Sequence, residues 1–298
     1  MALDPVWPAL QPGDTVAIVA PSGPFDMAGL ERGRELLERH FRVRMRPDIT
    51  TRDGFLAGQD DRRRQELLDA LEDPDVRAIV AARGGYGSTR LLAAIAEPAL
   101  AALATDAKLL VGFSDITALH ALWRRAGVGS LHASMAARIA SLASPLQARW
   151  LAALQGRFDP EIIQLKTIVP GVARGRLAGG NLAVLCALLG TPHMPRLDGH
   201  ILFLEDTNER PYRVDRMLTS LRDAGTLRNL AGVAVGQFTD CGAGPDGVAL
   251  EAVIYERLSA FGVPVVSGVP AGHVDDNLEL PFGREVELDA SAGVVRLS

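Results

Sequence analysis

The sequence is poor in the side chains that form disulfides and metal sites. Its 298 residues contain two cysteines, Cys186 and Cys241, which form no CxxC pattern and have no histidine partner nearby. A structural disulfide or a thiolate metal site is therefore not expected. The stretch GHVDDN at 272–277 has one histidine and two aspartates but none of the spacings of known zinc motifs. No metal is predicted.

Lysine, long basic runs and long apolar runs are also scarce. Lys108 and Lys166 are the two lysines, which leaves few amines for Schiff-base chemistry. The net charge of −5 and the lack of a basic run argue against nucleic-acid partners. No apolar run reaches transmembrane length, so no membrane partner is expected. The N-terminus, MALDPVWPALQPGDTVAIVA, has acids where a signal peptide needs a basic segment, which predicts a cytoplasmic location.

The residues that are present predict an α/β protein. Hydrophobic residues make up 48% and charged residues 22%, and the length suits one large domain or two ordinary ones. In the first half, short apolar strands at 15–20, 76–82 and 108–113 alternate with stretches of helical periodicity. Short buried strands separated by helices are typical of a parallel sheet covered on both faces.

The pattern changes near the middle of the chain. Residues 156–170 have no clean periodicity, and we predict the interdomain connection there, between domains at 1–155 and 171–298. The second half begins with GRLAGGNLAVLCALLGTP, read as a glycine turn followed by a helix. A strand at 200–206 follows, and REVELDASAGVVRLS at the end predicts a hairpin.

Ligands of open α/β sheets bind beyond the carboxyl ends of the strands, and four predicted strand ends carry polar groups. They are the RGGYGS loop, Ser114, Glu205 and His273. Ser114 follows the strand KLLVGF directly and precedes Asp115 and a helix. Either residue suits a helix cap, and Ser114 also suits a nucleophile held above the sheet.

Glu205 and His273 likewise allow two interpretations. A carboxylate at the edge of a buried layer needs a partner, and for Glu205 that is a nearby arginine or an imidazole whose tautomer it fixes. The nearby arginines are Arg210, Arg213 and Arg216. His273 lies in a loop of glycine, proline and aspartate, which suits either a catalytic or a solvated histidine.

The RGGYGS loop does not complete a cofactor motif. Position 90 is Arg where the dinucleotide fingerprint needs glycine, and no lysine followed by Ser or Thr completes a phosphate loop. We therefore predict no cofactor. Glycines allow backbone amides to point at an anion, so the loop is compatible with an oxyanion site.

Six stretches, in order, resemble the LD-carboxypeptidase family of serine peptidases, and they span almost the whole chain. They are GDTVAIVAPSGP, ARGGYGSTRLL, GFSDITALH, GRLAGGNLAVLCALLGTP, ILFLEDTNERPYRVDRML and VPAGHVDDNLELPFG. The family includes muramoyltetrapeptide carboxypeptidase and the microcin C self-immunity proteins.

The resemblance implies a catalytic triad of Ser114, Glu205 and His273, with the backbone amides of Gly85 and Asp115 as the oxyanion site. It implies an N-terminal parallel-sheet α/β domain, a C-terminal swivelling-type α/β domain and a homodimer. The implied reaction is removal of the terminal D-alanine of murein tetrapeptide during peptidoglycan recycling. The alternatives are hydrolysis of a toxic peptidyl nucleotide, as in microcin self-immunity, and a noncatalytic sugar- or nucleotide-binding protein.

Overall fold

The structure is a computed structural model that describes residues 6–297. Residues 1–5 of the N-terminal stretch, and Ser298 at the end of the predicted hairpin, lie outside the described residues. The chain forms two compact units. The first unit contains the chain up to Phe158 together with Glu279–Gly283, and the second contains Asp159–Leu278 and the chain from Arg284 onward.

Strands and helices alternate along much of residues 6–297, with runs of consecutive strands at 161–181 and 265–297. The strands are β1 (Thr15–Val19), β2 (Arg42–Met45), β3 (Val76–Ala81), β4 (Leu109–Gly112), β5 (Ser130–His132), β6 (Glu161–Ile162), β7 (Lys166–Val169), β8 (Val172–Asn181), β9 (His200–Thr207), β10 (Gly232–Thr239), β11 (Val265–Ser267), β12 (Leu280–Phe282), β13 (Glu285–Asp289) and β14 (Val294–Leu297). The α-helices are α1 (Met27–Glu38), α2 (Asp60–Glu72), α3 (Ser88–Thr105), α4 (Thr117–Arg125), α5 (Ala136–Ile139), α6 (Ser144–Leu154), α7 (Leu182–Ala187), α8 (Pro211–Asp223) and α9 (Leu250–Ser259). Within this part of the chain, no helix has the length and hydrophobicity needed to cross a membrane.

The first unit is built on a sheet with the spatial order β12-β5-β4-β3-β1-β2. The strands β1 to β5 run parallel, and β12 pairs antiparallel with β5 at the edge. The central strands β1 and β4 are buried along their whole length, because their residues are almost all apolar. Because β1, β3 and β4 are parallel neighbours, their carboxyl ends lie at the same edge of the sheet.

The second unit has a mixed sheet with the order β6-β14-β13-β8-β9-β10-β11-β7. Its centre, β8 to β11, is parallel, and the outer strands pair antiparallel. Apolar residues of α7, α8 and α9 pack with the central strands in a common core. The predicted C-terminal hairpin is present as β13 and β14. The predicted α/β fold class is thus confirmed.

The glycine turn predicted at the start of the second half is wrong. Residues 172–181 form the long strand β8, which pairs with β9. A Cβ atom on Gly179 would lie 1.9 Å from the carbonyl oxygen of Phe203. The glycine therefore permits a close approach of two strands instead of a turn.

Two further segments differ from the sequence interpretation. Residues 156–170, read as a connection, contain β6 and β7, which are edge strands of the second sheet. Several of their side chains are exposed, so they lack the apolar alternation of an inner strand. Residues 279–283, read as part of the second domain, supply β12 to the first sheet.

Candidate active site

Ser114 lies in the turn between β4 and α4. The strand ends at Gly112, and a single 3-10 turn covers Ser114–Ile116 before α4 begins. The backbone φ of Ser114 is 63°. This left-handed conformation costs a residue with a side chain about 1–2 kcal/mol. Strain at a sharp strand-to-helix turn is typical of a nucleophile held above a sheet.

The carboxylate of Asp115 joins three loops of the first unit. Its Oδ2 accepts a hydrogen bond of 2.6 Å from the Ser22 hydroxyl and one of 2.8 Å from the Ser88 amide. The Ser88 hydroxyl donates to the Asp115 carbonyl at 2.5 Å. Asp115 is buried and thus ties the turn to the first residue of α3 and to the loop after β1. Helix α4 has Ile116 at its N-cap, without a side-chain hydrogen bond.

As a side chain, Asp115 was a candidate cap of the following helix α4, but its carboxylate instead accepts the amide of Ser88, the first residue of α3. The available signal was that Ser22 and Ser88 each follow a strand, β1 and β3. These strand ends meet the end of β4 at one edge of the sheet.

The glycine loop after β3 lies directly against Ser114. A Cβ atom on Gly84 would stand 3.0 Å from the Ser114 Cβ and 3.3 Å from its Oγ. The next residue, Gly85, is exposed and has a φ of 106°, which favours glycine. The two residues predicted for the oxyanion site, Gly85 and Asp115, therefore belong to the two segments that meet at Ser114.

A buried arginine holds this loop in place. Arg63 is fully buried, and its guanidinium donates to the carbonyls of Gly87 at 2.9 Å and Gly58 at 3.2 Å. It also contacts the Pro21 carbonyl and pairs with Asp60. Burial lowers the pKa of Arg63, and the hydrogen bond to Asp60 opposes this shift. A buried cation satisfied by carbonyls rigidifies the loops that supply them.

Glu205 and His273 lie together in the second unit. The Nδ1 atom of His273 is 2.7 Å from Oε2 of Glu205, whose side chain has no exposed surface. Among the described residues, the side chain that contacts the Glu205 carboxylate is this imidazole and none of the three nearby arginines. Arg213, for example, pairs with Glu209 at 3.6 Å.

The contact with Glu205 sets the proton positions on the imidazole. An ionised carboxylate only accepts hydrogen bonds, so Nδ1 of His273 carries the proton and donates. Nε2 is then the ring nitrogen that can accept a proton. The loop that carries His273 is fixed by Asn277, whose Oδ1 accepts from the Gly272 amide at 2.8 Å, and by Thr239, whose hydroxyl donates to the His273 carbonyl at 3.0 Å.

Asp206, the residue after Glu205, is buried and was not singled out from the sequence. Its Oδ1 accepts from the Asn181 side chain at 2.9 Å and from the Thr207 amide at 2.8 Å. Its Oδ2 accepts from the Ala183 amide at 2.9 Å. Burial raises the pKa of Asp206 to about 6, although these hydrogen bonds oppose the shift. The carboxylate links the end of β9 to the start of α7.

The structure thus brings the predicted residues together in two groups: Ser114 with Gly85 and Asp115 in the first unit, and Glu205 with His273 in the second.

His120 is buried, and its ring nitrogens contact the Ser130 hydroxyl at 2.8 Å and the Gly112 carbonyl at 2.9 Å. Burial lowers the pKa of His120 to about 4. Within residues 6–297, no three His, Cys, Asp or Glu side chains form a group that could hold a metal ion.

Comparisons with protein families match both halves of the chain. Residues 16–133 match the LD-carboxypeptidase N-terminal domain. Residues 174–288 match the LD-carboxypeptidase C-terminal domain. The matched ranges include Ser114 on one side and Glu205 and His273 on the other.

Individual proteins resemble the chain over nearly its full length. A putative carboxypeptidase from Streptomyces coelicolor is 40% identical over 299 residues, covering 97% of this chain and 94% of the relative. The crystal structure of muramoyltetrapeptide carboxypeptidase from Oxalobacter formigenes has a TM-score of 0.83 and 32% identity, covering 95% of this chain and 97% of that one. MccF in complex with glutamyl sulfamoyl guanosine has a TM-score of 0.85 with 22% identity, covering 97% of both chains. This last likeness concerns the fold alone.

Proposed function

The chain belongs to the LD-carboxypeptidase family, and from that premise we propose that it is a serine carboxypeptidase acting on murein tetrapeptide. It would hydrolyse the bond between the L-configured centre of diaminopimelate and the terminal D-alanine. The observation that carries the proposal is the 2.7 Å contact between His273 and Glu205, because it prepares an imidazole to accept a proton at Nε2.

In this mechanism, Ser114 attacks the acyl carbon of the scissile bond while Nε2 of His273 takes the hydroxyl proton. The amides of Gly85 and Asp115 stabilise the negative charge that develops on the carbonyl oxygen. His273 then gives the proton to the departing amine of D-alanine, which leaves an ester on Ser114. The same imidazole then takes a proton from water, which attacks the ester, and returns that proton to the Ser114 oxygen as the tripeptide leaves. Glu205 holds the ring and stabilises its positive form.

The substrate assignment is supported by the muramoyltetrapeptide carboxypeptidase, which is 32% identical to this chain. Because the proton goes to the departing amine, this amine must lie on one side of the acyl carbon. Inverting the last residue moves its carboxylate and methyl group away from the groups that hold them. A displacement of about 1 Å can lower a rate roughly a hundredfold. We therefore expect preference for a terminal D-residue.

The test is to incubate the protein with L-Ala-γ-D-Glu-meso-diaminopimelate-D-Ala and identify the products by mass spectrometry. The matched control substrate ends in L-alanine, and a peptidyl adenylate analogue represents the microcin-type reaction. Release of D-alanine, with little release of L-alanine, supports the proposal. Equal rates on both epimers, or faster cleavage of the adenylate analogue, would contradict it. Absence of covalent labelling by a serine-directed probe would favour the noncatalytic alternative.

Two further properties stay predictions. The homodimer implied by the family resemblance is tested by sedimentation velocity over a range of concentrations, where a purely monomeric species would contradict it. The cytoplasmic location is tested by fractionating cells that express the tagged full chain.

A further inference from the structure

Arg83 is an exposed arginine in the loop that precedes the predicted oxyanion glycine. It stands between the end of β3 and Gly84, and its Nη1 donates one hydrogen bond, of 2.5 Å, to the Pro24 carbonyl. No carboxylate within residues 6–297 pairs with it. A guanidinium offers five N–H donors, so most of its donors are available to a ligand.

Other arginines of the first unit, including Arg62, Arg63 and Arg90, pair with acids. Arg63 is buried and pairs with Asp60. Arg90 pairs with the same carboxylate at 2.8 Å, and Arg62 pairs with Glu66 at 3.2 Å. Arg83 therefore differs from these three arginines, because no acid among residues 6–297 pairs with it.

The position of Arg83 fits a group that lies one residue beyond a scissile bond. Its Nη1 is 4.0 Å from the point where a Cβ on Gly85 would stand. The adjacent Gly84 packs against Ser114, with its Cβ position 3.3 Å from the Oγ. In a peptide, one amide nitrogen and one Cα separate the last carbonyl carbon from the terminal carboxylate, a span of about 4 Å. One short loop thus carries both the predicted oxyanion glycine and an exposed guanidinium, which are the two groups that a scissile carbonyl and a terminal carboxylate this close together would need.

We infer that Arg83 forms the subsite for the free C-terminal carboxylate of the substrate. This inference rests on the proposed function and adds the residue that makes the enzyme select a chain end. The ligand is a monocarboxylate, that of the departing amino acid, bound by two parallel N–H donors of the guanidinium. Binding of this carboxylate places the scissile carbonyl beside Ser114 and Gly85.

Arg52 provides a matched control. It is also exposed, and its Nη2 donates to the neighbouring Phe25 carbonyl at 3.4 Å. Like Arg83, it has no carboxylate partner in the described part of the chain. It bonds the residue next to the one that Arg83 contacts, so Arg52→Gln removes a neighbouring positive charge while it leaves the proposed carboxylate donor in place.

The experiment measures kcat/KM of the full-length protein on the murein tetrapeptide with a free C-terminus and on the same peptide as its C-terminal amide. The wild type should favour the free acid. Arg83→Gln should lower kcat/KM for the acid by about tenfold to a hundredfold, the usual effect of losing a charged hydrogen bond. The amide should lose less than threefold, which abolishes the preference. Arg83→Lys should restore part of it, because a point charge lacks the bidentate geometry.

Several outcomes would overturn the inference. They are an unchanged acid-to-amide ratio in Arg83→Gln, an equal loss on both substrates, or loss of the ratio in Arg52→Gln. Labelling of Arg83→Gln by a serine-directed probe at the wild-type rate verifies that the variant is folded. Failure of the wild type to release D-alanine from the tetrapeptide would refute the proposed function itself, a result distinct from any change in the ratio.

Discussion

Ser114 and Glu205 are each followed by a buried aspartate, and the two aspartates anchor their surroundings differently. Asp115 uses one oxygen, Oδ2, for the hydroxyl of Ser22 and the amide of Ser88. Asp206 uses both oxygens, so that each is committed to at least one donor. In both cases an amide at the start of a neighbouring helix is among the donors.

The two sites share one arrangement, a buried aspartate directly after the candidate catalytic residue, but different interactions hold the two sites in place. In each unit, the residue after the candidate catalytic side chain ties its turn to the preceding strand–helix connection. Around Ser114 the order comes from backbone geometry, namely a strained φ and the close approach of Gly84. Around Glu205 it comes from hydrogen bonds accepted by two buried carboxylates, those of Glu205 and Asp206, and burial raises the pKa of Asp206 to about 6. Substitutions that change shape should therefore act mainly on the first region, and substitutions that change charge mainly on the second.

The largest effect should come from Ser114→Ala, which removes the proposed nucleophile. We expect kcat on murein tetrapeptide to fall by about 10⁴-fold or more, as for other serine hydrolases. Alanine has the same left-handed strain as serine, so the melting temperature should stay close to that of the wild type. The control is Ser141→Ala, since Ser141 is an exposed-surface serine bonded to the Arg138 carbonyl. Retention of full activity in Ser114→Ala would refute the assignment.

Glu205→Gln tests the second region by changing charge at nearly constant shape. The amide would donate to Nδ1 of His273 and favour the wrong tautomer, so kcat should fall by about 10³- to 10⁴-fold. Glu209→Gln, which neutralises an acid of the neighbouring turn, is the matched control. A loss below tenfold for Glu205→Gln would mean that the carboxylate has a structural role only.

The pH dependence of stability should have opposite signs in the two units. The pKa of His120 is lowered to about 4 by burial, so its contribution to the free energy of unfolding is full above pH 6.5 and is lost as pH falls toward 4. The pKa of Asp206 is raised to about 6, so its contribution is full below about pH 4 and is lost as pH rises toward 6. Each contribution amounts to about 3 kcal/mol.

Urea unfolding between pH 4 and 7 measures how the free energy of unfolding depends on pH. The proteins compared are the wild type, His120→Gln and Asp206→Asn. The stability difference between wild type and His120→Gln should shrink as pH falls. The difference between wild type and Asp206→Asn should change in the opposite direction. Differences of the same sign in both variants would contradict the assignment of the two shifts.

The smallest effect on stability concerns Asp115, whose carboxylate uses one oxygen, Oδ2, to accept both hydrogen bonds. Asp115→Asn retains one acceptor oxygen for both donors, whereas Asp115→Ala leaves the buried Ser88 amide unsatisfied. The alanine variant should therefore be less stable than the asparagine variant by about 1–3 kcal/mol in urea unfolding. Asp61→Ala, at an exposed position, should change stability by less than about 0.5 kcal/mol. Equal stabilities of the two Asp115 variants would show that charge, and not acceptor geometry, anchors this turn.

The sequence predicts the parts of this molecule that depend on local pattern. The alternation of buried strands and helices gives the α/β fold class, and polar residues at strand ends point to Ser114, Glu205 and His273. The residue pattern alone left the partner of Glu205 open between an arginine and an imidazole, because three arginines are nearer in sequence than His273, and it was the family resemblance that implied His273. The positive φ of Ser114 depends on packing against Gly84, which belongs to another strand–helix connection.

Other wrong sequence predictions concern edge strands of the second sheet and glycines where two strands approach closely. In β8 the glycines accommodate a neighbouring backbone, and a glycine pair reads equally well as a turn. The strands β6 and β7 are short and partly exposed, so they leave no periodic signal.

The position of β12 in the sequence affects how the first unit could be produced as a separate fragment. A protein truncated after Phe158 would lack this strand, and β5 would become the open edge of the first sheet. The exposed hydrogen-bonding groups of Ser130 to His132 would then be a template for pairing between molecules. Such a fragment should aggregate unless residues 279–283 are restored, for example by fusion through a flexible linker. The first folding unit is therefore not one continuous segment of the sequence, because it needs residues 279–283 as well as the chain up to Phe158.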